Sequence, residues 1–242
     1  MKITVATVCF NSASTIENTI ISVINQTYKD IEYIIVDGKS NDSTMDIIER
    51  YAERNGIFVI SEPDKGLYDA MNKAADIATG DYILYMNSGD VFASDDAVEK
   101  VVPFLLEKPC MCYGNVIRIK NDGEHMETYH GRFKEMKLVL QGKMMCHQSM
   151  FTRLETMRKY RFDLDYSITA DFDFLVRLLR DKQRIQYADV TISKVDNIEG
   201  ISSLSENLNI MRNQDDRSLK VNFPMWYYVL FIPKGLIRLI KK

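Results

Sequence analysis

Tyr82, Ile83, Leu84, Tyr85 and Met86 form an unbroken apolar run that stops at Asn87-Ser88-Gly89-Asp90. A strand without polar alternation has to be covered on both faces, the condition of an interior strand in a parallel sheet wrapped by helices. The segments before it repeat that theme. Short apolar strands are expected at residues 3–8, 33–36 and 58–60, with amphipathic helices between them marked by Ile16, Ile20, Val23 and Ile24, and by Met45, Ile48 and Ala52. Ser14 and Glu17 have the spacing of a capping box at the start of the first helix,. An Ala-rich helix over residues 69–78 leads into the strand at 82–86. Strand and helix alternating in this way predict an α/β domain with a mostly parallel, Rossmann-like central sheet flanked by helices.

Further along, Val98, Val101, Val102 and Leu105 predict a helix capped by Ser94, and residues 111–119 another strand. Residues 121–143 show no clear period, which suits a variable region over an active site, and residues 171–180 return to helix with Phe174, Leu175, Leu178 and Leu179,. At 242 residues, with 46% hydrophobic and 27% charged residues, the chain fits one globular domain with a substantial core,. A net charge of -3 gives no support to a nucleic-acid partner,. The four cysteines, Cys9, Cys110, Cys112 and Cys146, are irregularly spaced in a chain too large to need disulfide staples,. They are expected to be reduced thiols. The N-terminus runs directly into a strand pattern and does not read as a signal peptide, so a cytoplasmic body is expected,.

In an open parallel sheet, ligands bind in the crevice outside the C-terminal ends of the strands. Four successive strand ends carry polar clusters here: Thr7 to Asn11, Asp37, Glu62-Pro63-Asp64-Lys65-Gly66, and Asn87 to Asp90. Taken singly, Asn11 and Gly38 are ordinary turn residues, and Asp37 or Asp90 could simply cap a helix. Together they describe a nucleotide-diphosphate pocket, in which an Asp ending the second strand accepts from base or ribose and a carboxylate after the fourth holds Mg²⁺ or Mn²⁺ against the phosphates.

The segments Thr7-Val8-Cys9-Phe10-Asn11, Ser22-Val23-Ile24-Asn25-Gln26-Thr27-Tyr28, Glu32-Tyr33-Ile34-Ile35-Val36-Asp37-Gly38 and Glu62-Pro63-Asp64-Lys65-Gly66-Leu67-Tyr68-Asp69-Ala70-Met71-Asn72-Lys73 fall in an order that resembles family 2 inverting glycosyltransferases of the GT-A fold. The resemblance runs to about Ser203 and is strongest to bacterial enzymes that extend exopolysaccharide, capsule or lipopolysaccharide. It implies a nucleotide-sugar pocket built from Thr7, Phe10, Asn11, Asp37, Asp64, Lys65, Asp69, Asn72 and Asn87, with Phe10 standing where many members have Tyr. The family's Asp-X-Asp metal motif is replaced by Asn87-Ser88-Gly89-Asp90, leaving Asp90 as the expected Mg²⁺ or Mn²⁺ ligand. Asp171, at the start of a helix, matches the catalytic base that takes the acceptor proton, with Asp173 as the fallback. His147-Gln148 resembles a pair that meets acceptor or donor sugar, a region to which Asp173 is also assigned. Glu199-Gly200-Ile201-Ser202-Ser203 resembles a Gly-Gly-Ile-Ser loop, and reads equally well as a plain turn.

After Asp216 the charged residues Arg217, Lys220, Lys234, Arg238, Lys241 and Lys242 are all basic, and Trp226, Tyr227, Tyr228 and Phe231 supply aromatic rings. The tail is too short to span a bilayer and suits an amphipathic segment on an anionic membrane surface. Packing onto its own domain and a homodimer contact are the competing readings. The expected organisation is a catalytic domain at 1–216, with a nucleotide-sugar half at 1–118 and an acceptor half at 119–216, followed by the basic, aromatic tail at 217–242. The expected activity is transfer from a nucleotide sugar, with UDP-sugar favoured, to a glycan or lipid-linked acceptor, the enzyme being cytoplasmic or peripheral on the inner face of the cell membrane. The alternative is a catalytically silent nucleotide-sugar-binding or carbohydrate-assembly module, which the altered metal motif motivates. A nucleotidyltransferase would carry a Gly-rich, basic phosphate loop near the start, and none is seen.

Overall fold

The computed structural model describes residues 1–128, 145–196 and 207–225. The expected loop at 199–203 and residues 226–242 of the tail lie outside the described residues. Strands β1 (Ile3–Cys9), β2 (Ile31–Asp37), β3 (Phe58–Ser61) and β4 (Tyr82–Tyr85) alternate with helices α1 (Ile16–Ile24), α2 (Thr44–Asn55) and α3 (Leu67–Ile77). They pair in parallel in the order β3-β2-β1-β4, so that their C-terminal ends share one side of the sheet. Each interior strand feeds two cores. Ala6, Val8, Ile34, Val36, Ile83 and Tyr85 join one buried cluster, and Ile3, Val5, Ile35, Tyr82 and Leu84 join the other. This two-sided burial explains the lack of polar alternation in the sequence.

The second half is β5 (Val91–Phe92), α4 (Ala97–Leu105), β6 (Met111–Lys120), β7 (Gly123–Glu127), β8 (Met150–Arg153), α5 (Leu154–Tyr160), α6 (Ala170–Arg180), β9 (Ile185–Asp196) and α7 (Leu208–Asn222). It extends the sheet through β8, β6, β9 and β5, with β7 paired to β6. The strand β8 runs antiparallel to β4, pairing Tyr82 with Arg153 and Ile83 with Thr152. Continuing that register past the ladder sets the short 3₁₀ turn His147–Ser149 alongside the turn that leaves β4. The chain thereby returns to the rim of the parallel sheet from the opposite direction.

Three local expectations differ from the structure. Ser94 does not cap α4: Asp96 precedes its first turn with no side-chain cap bond, and the Ser94 hydroxyl donates to Asp96 Oδ1 at 2.7 Å. The first helix starts after Thr15 with no side-chain cap bond, and the Ser12 carbonyl instead accepts from the N–H groups of Thr15 and Ile16. Within residues 121–143 a strand appears, β7, whose Gly-Glu-His-Met-Glu sequence is mostly exposed and so carries no apolar period. It is held by its ladder to β6, closed by Asn121 and Asp122 between Lys120 and Gly123. All four cysteines are buried and unbridged. Helix α7 runs without a break past residue 216, and Ser218, Leu219 and Asn222 are buried. No helix among the described residues is long and apolar enough to cross a membrane.

Candidate active site

A cleft of roughly 650 Å³ opens at the C-terminal ends of β1 and β4. Its wall carries Phe10 and Asn11 from the loop after β1, Asn87 to Asp90 after β4, His147 and Gln148 before β8, and Asp171 from α6. Seven of the residues expected from sequence to form the site therefore face one space.

Asp171 lies in the first turn of α6, where the helix dipole favours negative charge,. Both of its oxygens are held. The Phe172 N–H donates to Oδ1 at 2.9 Å and the Tyr68 hydroxyl reaches the same atom at 3.0 Å, while His147 Nδ1 lies 3.1 Å from Oδ2. Burial first, and the Asp171 charge second, push the Tyr68 hydroxyl well above its ordinary pKa, so it stays a proton donor, shared with the Ile168 carbonyl at 2.7 Å. On its other side the His147 ring meets Asn87, whose Nδ2 lies 2.8 Å from Nε2. The turn after β4 and the first turn of α6 are thus joined through one imidazole.

Asp90 is 5% exposed and receives Gln148 Nε2 at 2.6 Å and the Asp196 N–H at 3.1 Å. Burial pushes its carboxyl up to about 6, against the lowering effect of the Gln148 bond and of His147. Among the described residues no three His, Cys, Asp or Glu side chains gather as a ready-made metal cluster. The turn does offer hard oxygen donors, however. Asp90 keeps lone pairs beyond its two hydrogen bonds, and Asn87 Oδ1 is a buried oxygen in the cleft wall with no hydrogen-bond partner. That donor set fits a Mg²⁺ or Mn²⁺ ion completed by phosphate and water oxygens.

The remaining expected residues are not on the cleft wall. Thr7 is fully buried beside the Tyr33 hydroxyl at 3.0 Å. Asp37, also fully buried, accepts from the Ser40 N–H at 3.0 Å, the Ser40 hydroxyl and the Ser61 hydroxyl at 2.7 Å, which pins the turn after β2. That turn is braced in addition by Asn11, in the left-handed region at φ 49°, whose Oδ1 accepts from the Asn41 N–H at 3.0 Å. It places Gly38 so close to its neighbours that an added Cβ would sit 2.6 Å from Asp64 Oδ2 and 3.4 Å from the Phe10 ring. Phe10 itself is 59% exposed, an aromatic face left open at the mouth of the cleft. Asp64 and Asp69 accept from the N–H groups of Gly66 and Lys65, ordering the start of α3. Asn72 is buried and exchanges two 2.9 Å bonds with the backbone of Phe162.

Asp173 is 2% exposed and accepts from Arg177 Nε at 2.7 Å and the Ser218 hydroxyl at 2.6 Å, away from the cleft. Breaking a buried pair of this kind costs about 3 kcal/mol. Asp173→Ala is therefore expected to lower the melting temperature by roughly 6 to 12 °C, read by calorimetry. Among the lining residues not expected from sequence are Tyr68 and the charged residues Arg118, Asp196 and Asp215. Arg118, paired with Glu127 at 2.8 Å, brings positive charge to the wall.

The family model described as Glycosyl transferase family 2 matches residues 4–169. The chain belongs to this family. As a family 2 glycosyltransferase it is 30% identical over 201 residues to a PGL/p-HBAD biosynthesis glycosyltransferase of Mycobacterium bovis (strain BCG / Pasteur 1173P2), covering 80% of this chain and 76% of the relative. It is 35% identical over 111 residues to the putative teichuronic acid biosynthesis glycosyltransferase TuaG of Bacillus subtilis (strain 168), covering 45% of this chain and 43% of that one. Its fold is the GT-A fold. The crystal structure of S. aureus TarS 1-349 in complex with UDP-GlcNAc superposes with a TM-score of 0.70 at 18% identity, over 91% of this chain and 67% of that one. The mannosyltransferase PcManGT from Pyrobaculum calidifontis, in complex with GDP-Man and Mn²⁺, gives 0.63 at 19% identity, over 92% and 63%. Against the longer TarS chain, this glycosyltransferase spans 44% of the length.

Proposed function

We infer that this glycosyltransferase inverts the anomeric centre as it moves a sugar from a nucleotide-diphosphate sugar, with a UDP-sugar as donor, to a glycan or lipid-linked acceptor in bacterial surface polysaccharide synthesis. The observation that carries the reading is Asp171: a carboxylate in the family's base position, oriented by His147, Tyr68 and a backbone N–H, on the same cleft wall as the turn after β4. In the reaction the acceptor hydroxyl gives its proton to Asp171 as its oxygen bonds to the anomeric carbon. The bond from that carbon to the diphosphate breaks on the opposite face, and the electron pair leaves with the nucleoside diphosphate.

In this reading residues 1–118 bind the donor and residues 119–216 the acceptor. Phe10 stacks on the base, and Asp37 and Asn11 act by holding the turns around it. Asp90, with Asn87 Oδ1, would hold Mg²⁺ or Mn²⁺, which supplies charge neutralisation for the departing diphosphate. The donor class draws on TarS, solved with UDP-GlcNAc, and the polysaccharide setting on TuaG, named for teichuronic acid biosynthesis. We further propose that the aromatic, basic tail beyond helix α7 rests on the inner membrane surface, where lipid-linked acceptors are held, while residues 217–222 stay docked on the domain.

A ligand that binds only the native state raises the melting temperature by mass action. With UDP-GlcNAc, UDP-glucose, UDP-galactose and GDP-mannose, each with and without Mn²⁺, a UDP-sugar is expected to give the largest rise, and to give it in the presence of Mn²⁺. Equal, null shifts for all four would remove the donor assignment.

A further inference from the structure

Helix α7 turns one face to the rest of the molecule, and the polar side chains on that face can be followed one by one. Gln214 Oε1 accepts from the N–H groups of Ile168 and Thr169 at 3.1 and 3.2 Å, and its Nε2 donates to the Ser167 hydroxyl at 2.9 Å. Ser218 donates to Asp173, and Asn222 Oδ1 accepts from Arg180 Nη1 at 2.8 Å. These contacts dock α7 against α6 and against the loop that leads to Asp171. Asp215 sits among them and is different. Its Oδ1 is buried and has no hydrogen-bond partner among the described residues, and its side chain, with that of Met211 one turn earlier, lines the cleft.

The same pair of helices holds a second buried carboxylate, Asp173, which is saturated by Arg177 and Ser218. A purely structural acid at position 215 would be expected to show similar pairing, because an unpaired buried acceptor is costly. The opening onto the cleft points to a ligand donor as the missing partner. Its neighbourhood decides which ligand. Asp171 lies within electrostatic reach, and burial first, then the Asp171 charge, push the Asp215 carboxyl up to about 6, against the lowering bond from Thr169. A diphosphate is repelled by two carboxylates, whereas a neutral hydroxyl donates to them.

We propose that Asp215 is the acceptor-recognition residue of this cleft, its Oδ1 taking a hydrogen bond from a second hydroxyl of the sugar that gives its proton to Asp171. The proposal rests on the transferase reading above. It places the acceptor on the side of the cleft formed by α6 and α7.

The test uses the full chain, UDP-GlcNAc, Mn²⁺ and a panel of p-nitrophenyl hexosides as acceptor probes, with UDP release as the readout. Asp215→Ala, which leaves no side-chain oxygen to accept, is expected to raise the acceptor KM roughly 10-fold or more, the size of one lost hydrogen bond to a charged group. Slow hydrolysis, with water as acceptor, and UDP affinity are expected to stay unchanged, whereas Asp171→Asn abolishes both hydrolysis and transfer. An unchanged acceptor KM, or hydrolysis and transfer falling together, overturns the assignment. A second readout needs no acceptor. The folded-state pKa of Asp215 lies above its unfolded value of ~3.9, so its charge weakens the fold progressively from about pH 4 to pH 6, and fully above that,. Asp215→Asn is therefore expected to melt higher than wild type at pH 7.5, with the gap closing by pH 4. Equal or lower melting at pH 7.5 overturns the premise that Asp215 Oδ1 lacks a partner. If wild type binds no nucleotide sugar, the transferase reading fails and this assignment with it.

Discussion

Asp171→Asn is expected to lower turnover about 10³-fold while UDP affinity holds, because a positioned general base contributes roughly 10² to 10⁴ to the rate. The substitution is nearly isosteric. The side-chain oxygen of Asn can still accept from the Phe172 N–H and the Tyr68 hydroxyl, so the first turn of α6 keeps its contacts. What changes is the other atom, where an NH₂ group now faces His147 Nδ1 in place of the carboxylate oxygen 3.1 Å from it. The variant therefore has no group to receive the acceptor proton. Stopped assays of UDP release, paired with calorimetric titration of UDP, separate chemistry from binding. Wild-type turnover in the variant would remove Asp171 from the reaction, and transfer absent from wild type as well would favour a silent carbohydrate-assembly module.

Asp90→Asn is expected to cost about 10²-fold or more in kcat/KM, the scale seen when one charge-stabilising group is lost from a transition state. Asparagine keeps the volume and can retain the acceptor for the Asp196 N–H, so the fold is expected to tolerate it. The lost feature is the negative charge of the turn after β4. The matching signature is thermal: the part of the donor-induced melting shift that depends on Mn²⁺ is expected to vanish, while the part seen with UDP alone persists. A variant whose Mn²⁺ response equals that of wild type would show that the cation, if used, is held elsewhere.

The strand-helix alternation of the first half of the fold was legible in sequence for a physical reason. The interior strands β1, β2 and β4 are buried on both faces, so they read as apolar segments, and polar clusters follow them at the ends where the crevice lies. The second half is less legible. Strand β7 is mostly exposed, and the four residues of β8, Met-Phe-Thr-Arg, mix apolar with polar side chains, so neither stands out as an apolar segment. The missed site residues have the same explanation at the level of single side chains. Tyr68 reads as one more apolar position in α3, and only the packing of α3 on α6 brings its hydroxyl to Asp171, 103 residues away. Asp215 stands in the polar run Asn213-Gln214-Asp215-Asp216-Arg217, which looks like a solvated helix face. One signal was available: Met211, Asp215 and Leu219 are spaced by four, which sets the acid on the stripe that Leu219 buries in the core,. The buried bonds of Asp37 and Asn72 carried no such signal, since a strand-end Asp and a helical Asn look the same in sequence whether they face a ligand or a neighbouring backbone.

The contact between Asn87 and His147 gives the altered metal motif a meaning of its own. An amide N–H aimed at Nε2 favours the imidazole tautomer that carries its N–H on Nδ1, directed at Asp171,. A carboxylate at position 87 would do the reverse and draw a proton onto Nε2. The asparagine exchanges a formal charge at the rim for a directional constraint one ring away, on the side of the imidazole opposite Asp171.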